Sequence, residues 1–516
     1  MRRIAALLLF LAVTATLTAD PPGVYALTGG TIHPANGPDI ASGTVVIRGG
    51  LVEAIGANVT VPADATVIDV KSAHIYPGLI DAQTSLGLPE PKRSGGERPA
   101  EPGPDTLAAR TVKLTDDDLD ARRATGVTTV ITAASYGIFN GQSAMLNLGG
   151  GALESRVIKS PVALQISFNT RPTWTYPDSL MGVLAFLRQS FLDAQQFTAA
   201  RDVYRRNPSG LQRPADSPQL EALGPVLRRE LPVVFIANTE LMMRRAQTLA
   251  REFNLTPILS GGRQAYAMAG DLKNVPVLVS VRWPVAPTNK DDREDQPLRV
   301  IRDRQLAPTT PAVLAKNGSP FALVTGAAKA GDFLPGIRKA IDNGLSADDA
   351  LKATTIWPAR IFGVDRQLGS LERGKIANVI VADKPLFTKG AKVTRVFVDG
   401  RELHLPKDEP KEGAASPIDG TWSISVRNPD GNVNINVTLA AADGRLTGNY
   451  SGDRGTGDIR GGTFDGKAFE FTISAQAQDA AETTDWAFSG TLDGTSMTGT
   501  VSTTIGRWEF SGSKSE

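Results

Sequence analysis

The chain has no cysteine among its 516 residues. That single absence removes disulfides, thiolate metal sites, a cysteine nucleophile and a lipid-modified cysteine anchor. Histidine is nearly missing too, with only His33, His74 and His404. A Ser-His-Asp triad needs an imidazole beside a serine, and none of the three is suitably placed. Asn140–Met145, NGQSAM, is not a nucleophile elbow either. Charge of one sign is also lacking: the formal net charge is +1, which gives no field for nucleic acid or an acidic membrane surface. After the N-terminus no apolar run is long enough to span a bilayer.

What is present is ordinary globular material, 41% hydrophobic and 21% charged. A chain of this length suggests roughly two to four domains. Met1-Arg2-Arg3, the apolar run Ile4–Val13 and small residues up to Ala19 have the layout of a secretory signal peptide. An exported, periplasmic or secreted protein is the expectation.

Short strand patterns flank the middle of the chain. Gly43–Gly56, GTVVIRGGLVEAIG, reads as two strands around a tight turn. Gly374–Asp383 and Lys392–Leu403 have the same character. Between them, apolar runs such as Gly126–Ile131, Pro232–Ala237, Thr256–Ser260 and Val275–Val281 alternate with helix-like stretches, among them Asp118–Gly126 and Thr248–Leu255. Runs buried on both faces with helices between them imply a parallel sheet, and their number fits a TIM-type barrel. Pro89–Pro104 and Pro284–Pro297 read as polar loops; the acidic residues 291–295 lack an EF-hand pattern.

From about Ser416 alternation with period two takes over, as in Val433, Ile435, Val437 and Leu439. GTFDG (462–466) returns as GTLDG (490–494), and Asp443-Gly444, Asp465-Gly466 and Asp493-Gly494 read as hairpin turns. This predicts a small antiparallel barrel or sandwich, with Trp422, Phe469, Phe471, Trp486, Phe488 and Trp508 in its core.

YPGLIDAQTSLG, ATGVTTV, FALVTGAA and above all LKATTIWPARIFGVDRQLGSLERGKIANVIVAD (Leu351–Asp383) resemble the amidohydrolase superfamily, in its exported imidazolonepropionase-like branch. The likeness covers about residues 25–405; the tail lies outside it. It implies a (β/α)₈ barrel over 76–359 and a composite β-sandwich from 20–75 and 360–410; the residue patterns above add a signal peptide at 1–19 and the all-β domain over 416–516. It also implies metal-dependent hydrolysis of C–N bonds in amides, cyclic amides or dipeptides, with zinc or another divalent ion lowering the pKa of bound water.

The family's ligands carry over poorly. The His-x-His pair closing the first barrel strand falls on Gln83 and Ser85, the fifth-strand histidine on Ile236, the sixth-strand histidine near Ser260, and the catalytic aspartate on Gly326. A bridging lysine cannot be placed. An amide and a hydroxyl are weak donors, and isoleucine and glycine offer none. No cofactor is therefore expected. The pocket at these strand ends would be lined by Asp81, Gln83, Ser85, Asn238, Glu240, Arg263, Arg282, Thr325 and Asp332. Asp81, Glu240 and Asp332 leave a repurposed acid/base pair open. Arg263 and Arg282 could hold an anion, or simply pair with acids.

Three functions follow from this reading. The first is a catalytically degenerate relative that binds a small molecule or a partner, as a homo-oligomer or a mixed oligomer with an active homologue. The second is a working hydrolase with an unusual or shared metal site. The third is a surface- or polysaccharide-binding protein led by the tail.

Overall fold

A computed structural model describes residues 23–89, 101–171, 175–286, 296–326, 328–405, 416–428, 431–442, 444–452, 455–476, 483–503 and 506–514. The signal-peptide segment, the acidic residues 291–295 and most of the Pro89–Pro104 loop lie outside these. The chain divides into two units, one up to residue 405 and one from residue 416.

In the first unit a sheet draws strands from both ends of the segment. Tyr25–Ile32 pairs antiparallel with Ile40–Arg48 and parallel with His74–Pro77. His74–Pro77 pairs antiparallel with Val379–Ala382 from the far flank, which continues into Val393–Val398 and Arg401–Leu403. Strands of both flanks together enclose Leu27, Val45, Ile47, Val379, Val381 and Phe397, so one core is shared between the two ends of the segment. Gly49 and Gly50 join Ile40–Arg48 to Leu51–Gly56 with φ of 59° and 82°. A two-residue hairpin turn of this hand needs positive φ at both positions, and glycine reaches it without a Cβ clash.

The barrel follows directly. Its strands are, in order, Leu79–Thr84, Val127–Thr132, the extended stretch Phe139–Gln142 and Ala144–Asn147, then Leu164–Ser167, Val233–Ala237, Pro257–Gly261, Val277–Ser280 and Phe321–Val324. They form two sheets. The third stretch joins them at one seam, since its first half pairs with the fourth strand and its second half with the second. At the other seam the Gly326 N–H donates to the Gln83 carbonyl at 3.1 Å. Ile80, Ala82, Val234, Ile258, Leu278, Ala322 and Val324 fill the interior. Their alternate neighbours, such as Leu79, Phe235, Leu259 and Leu323, face helices, as period-two alternation requires.

One feature departs from the expected (β/α)₈ pattern. The third strand runs antiparallel to both neighbours. Only Ala133–Ile138 connects it to the second strand, too few residues for the crossover that a parallel strand needs.

Barrel and sheet are tied by a buried polar network. The Asn378 side-chain amide donates to Asn147 Oδ1 (2.9 Å) and Thr129 Oγ1 (3.1 Å), and Asn147 donates to Asp399 Oδ1 at 2.7 Å. Burial pushes the Asp399 carboxyl up, with the Asn147 bond opposing.

The second unit is a closed antiparallel barrel of eight strands with a ninth on its edge, among the described residues. Gly420–Asn428 pairs with Gly431–Ala442 on one side and the last strand, Gly506–Lys514, on the other. The pairing of Gly431–Ala442 with Arg445–Gly452 completes the ring. Trp422, Phe469, Phe471, Trp486 and Phe488 are buried in its core, while Trp508 is partly buried against it. No described helix is long and apolar enough to cross a membrane.

Candidate functional site

The loops and strand ends at the C-terminal edge of the barrel are where such a fold places chemistry. The structure gathers the expected residues there into two groups rather than one.

The first group lies at the seam between the first and last strands. Asp81 is 0% exposed. Its Oδ2 is 2.9 Å from Nη1 of Arg122, on the helix Asp116–Arg123, and Thr325 donates its backbone N–H to Oδ1 at 3.0 Å and its hydroxyl to Oδ2. Burial pushes the Asp81 carboxyl up, opposed first by the Arg122 charge and then by Thr325. Asp81 thus clamps a helix and two strands. Its oxygens are occupied, and it is no partner for a second carboxylate. Gln83 is the last residue but one of the first strand, with its Oε1 buried and without a hydrogen-bond partner among the described residues. Ser85 follows, half-buried, and its carbonyl accepts from Leu88 N–H at 3.0 Å.

Gly326 has φ of 58°, and a Cβ built there would stand 2.9 Å from Ser280 Oγ. A side chain at the position given to a catalytic aspartate would thus have to adopt a left-handed backbone and displace the Ser280 hydroxyl. Arg282 is exposed, with its backbone N–H on Ser280 Oγ at 3.3 Å.

The second group spans the fifth and sixth strands. Ile236 lies in register between Ser167 and Ser260. Ser260 is buried. Asn238 is exposed and flanks Gly261. Glu240 opens the helix Glu240–Glu252 and pairs with Arg244 at 2.8 Å. Arg263 Nε is 2.9 Å from Asp303 Oδ2, but its angle is too poor for a hydrogen bond; the contact is an ion pair. Asp332, beyond the eighth strand and outside this group, is exposed ahead of the helix Phe333–Asp342. Arg263 and Glu240 thus have intrachain partners of opposite charge, the plainer of the alternatives left open by the sequence. Of the three candidate acids, Asp81 is clamped, Glu240 is ion-paired and Asp332 is exposed.

Two participants escaped sequence reasoning. Arg122 sits in a helix whose composition gave no hint of an inward guanidinium. Gln165 lies between Leu164 and Ile166, which face the helices, so its side chain points into the barrel beside Val234. It is 1% exposed, and both its amide atoms lack hydrogen-bond partners among the described residues, as does Asn140 Oδ1 on the adjoining strand. A lone glutamine inside an apolar-flanked strand was the available signal.

The histidines stand in the sheet and not at the strand ends. His33 and His74 are joined nitrogen to nitrogen at 3.0 Å, Asp39 holds His33 at 2.8 Å, and Tyr76 stacks on His33 at 4.4 Å. His404 is exposed near the end of the sheet. Among the described residues no three His, Asp or Glu side chains converge in a way that could hold a metal. The donors at the expected positions do not fit a divalent cation: hydrocarbon at Ile236, no side chain at Gly326, and neutral oxygens at Gln83, Ser85 and Ser260. A cavity of about 380 Å³ lined by Asn36, Arg360, Glu372 and Lys375 includes none of these residues.

The model of the amidohydrolase family matches residues 301–403. Among solved structures, an amidohydrolase from Thermotoga maritima aligns with a TM-score of 0.64 at 24% identity, covering 74% of this chain and 100% of that one. Also similar are a molinate hydrolase (TM-score 0.46, 16% identity, 75% of this chain and 96% of that one) and a Xaa-Pro dipeptidase (0.45, 15%, 74% and 100%). The similarity to the amidohydrolase superfamily, with other residues at the family's metal-ligand positions, rests on the family match together with the fold.

Proposed function

We propose that this chain, similar to the amidohydrolase superfamily in sequence and fold, has left metal-dependent hydrolysis and works by binding a small ligand at the barrel's C-terminal end. The observation that carries the reading is the row Ser167–Ile236–Ser260, where the resemblance would put metal ligands on the fifth and sixth strands. A catalytic zinc normally takes three protein ligands and keeps one open position. Here each placed ligand is lost, and with Gly326 so is the carboxylate that would move the proton of a metal-bound water.

Binding is favoured over mere decay by the buried amides. Gln165 and Gln83 keep unpartnered polar atoms where an apolar residue would pack at lower cost. Such groups are hydrogen-bonded by something, water or guest. The basic-apolar-small pattern of Met1–Ala19 supports export as the setting of this activity.

The test is metal analysis of tag-free protein prepared without added metal, with amide and dipeptide hydrolysis run beside it. The expected result is far less than one equivalent of zinc and no chelator-sensitive turnover. Near one equivalent of zinc, or turnover abolished by chelator and restored by metal, overturns the reading and promotes a hydrolase with an unusual site.

A further inference from the structure

The helix Leu180–Arg206 runs 27 residues, about 40 Å at the usual rise. It buries Val183, Leu187, Phe191 and Ala194 on its inner face and no residue after them. Its last turns thus extend past the core. On the outer face Met181 is 80% exposed, Leu192 50% and Val203 47%. These three are spaced by eleven residues, close to three whole turns, so they form one line drifting by about 20° per step. Ala185, Gln189, Gln196 and Ala199 are also exposed and fall within the same arc of about 80°. The arc carries no charge, whereas a solvated helix face ordinarily does.

The arc reads nearly alike in both directions from Leu192. Ala185 and Ala199 stand seven residues to either side, and Met181 and Val203 eleven. Two such helices laid antiparallel about a two-fold axis through Leu192 set Met181 against Val203, Ala185 against Ala199, and Leu192 against itself. That is the self-complementarity a two-fold interface requires. The alanines flanking the leucine pair let the backbones approach. The same operation brings Asp178, just before the helix, beside Arg206 at its end. Neither has an ion-pair partner within the chain among the described residues, and the charges are opposite.

We propose that a second copy of this chain docks on this face, giving a two-fold dimer through antiparallel Leu180–Arg206 helices. The interface does not depend on what the barrel binds, so it stands or falls separately from the function proposed above.

The lack of cysteine makes a clean test, because each introduced thiol is alone in its chain. In the full-length protein under mild oxidation, Leu192→Cys is expected to give a disulfide-linked dimer. Met181→Cys and Val203→Cys, whose own copies lie about 30 Å apart, give none singly but cross-link when the two variants are mixed. Analytical ultracentrifugation should show a dimer for the unmodified chain. Leu192→Glu should raise its dissociation constant about tenfold or more, by setting like charges on the axis, while its melting curve shows the fold intact. A monomeric unmodified chain overturns the proposal. So do a dimer indifferent to Leu192→Glu, and Val203→Cys linking to itself as readily as Leu192→Cys does.

Discussion

Gln165 and Asp81 are both fully buried polar residues of the barrel, yet they are opposite cases. Asp81 has an ion pair and two hydrogen bonds from Thr325, so removing its charge leaves the buried Arg122 guanidinium with only the Thr325 and Thr84 hydroxyls and no counter-charge. Asp81→Asn is expected to cost about 3–5 kcal/mol in denaturant unfolding, the usual loss when one partner of a buried pair goes. A double-mutant cycle with Arg122→Met should recover part of it; strict additivity would mean the two do not act as a pair. Neither amide atom of Gln165 has a partner among the described residues, and a buried amide left unmet by the protein costs about 1–3 kcal/mol. Gln165→Leu should therefore stabilise the protein, by about 1 kcal/mol, while abolishing whatever ligand the barrel holds. A clearly destabilised variant would show that the amide is satisfied in solution by ordered water and is structural. Gly326→Asp should cost about 1–2 kcal/mol from its positive φ and restore no hydrolysis even alongside Gln83→His and Ser85→His. The ligand substitutions were legible because they fall at fixed offsets from strand ends. Arg122 was not, because its partner Asp81 is 41 residues away in the chain and only the closed barrel brings the two together.

The elements were readable where a run of apolar residues had a length and flanks that suit one structure only. Val233–Ala237 and Pro257–Gly261 were legible as strands because the runs Pro232–Ala237 and Thr256–Ser260 are short and apolar and alternate with helix-like stretches. The third barrel strand was not read at all. FNGQ and AMLN are too mixed to declare a strand, and direction is a property of the connection rather than of the strand itself. The sheet offers a test of how its elements depend on acid. His74 has its affinity for protons lowered from the ordinary value of 6.5 by burial first and then by His33, with Asp39 opposing. The unfolded chain thus binds a proton more readily than the folded one. Stability should fall as the pH drops below about 6.5, and level off once the folded-state value is passed. The His33–His74 hydrogen bond gives the mechanical reason, since one nitrogen of the facing pair must stay unprotonated. His74→Gln should flatten the stability profile between pH 7 and 5 in urea titrations. An unchanged slope would place the acid sensitivity elsewhere.

At the scale of the whole molecule the boundary near Ser416 was the plainest feature of the sequence, because side-chain alternation changes its period there. Each unit has cores of its own. The barrel-and-sheet clusters end at Leu405, and the tail's cluster begins at Ile418. Trp422, fully buried, donates its indole N–H to the Ile418 carbonyl at 2.7 Å, so the tail's first strand is anchored within the tail. Among the described residues its eight strands close into a ring, and closure is what lets a small β domain stand by itself. The tail expressed alone over about residues 416–516 should therefore unfold in one cooperative transition. The full chain should show two transitions, the tail's own midpoint recurring within a few degrees, since the tail carries a complete core of its own. Differential scanning calorimetry of the full chain and the isolated tail decides this, with amide NMR dispersion as the check on folding. A single transition in the full chain, together with a tail that gives a flat trace and collapsed amide signals, would show that the tail depends on the barrel unit for its structure.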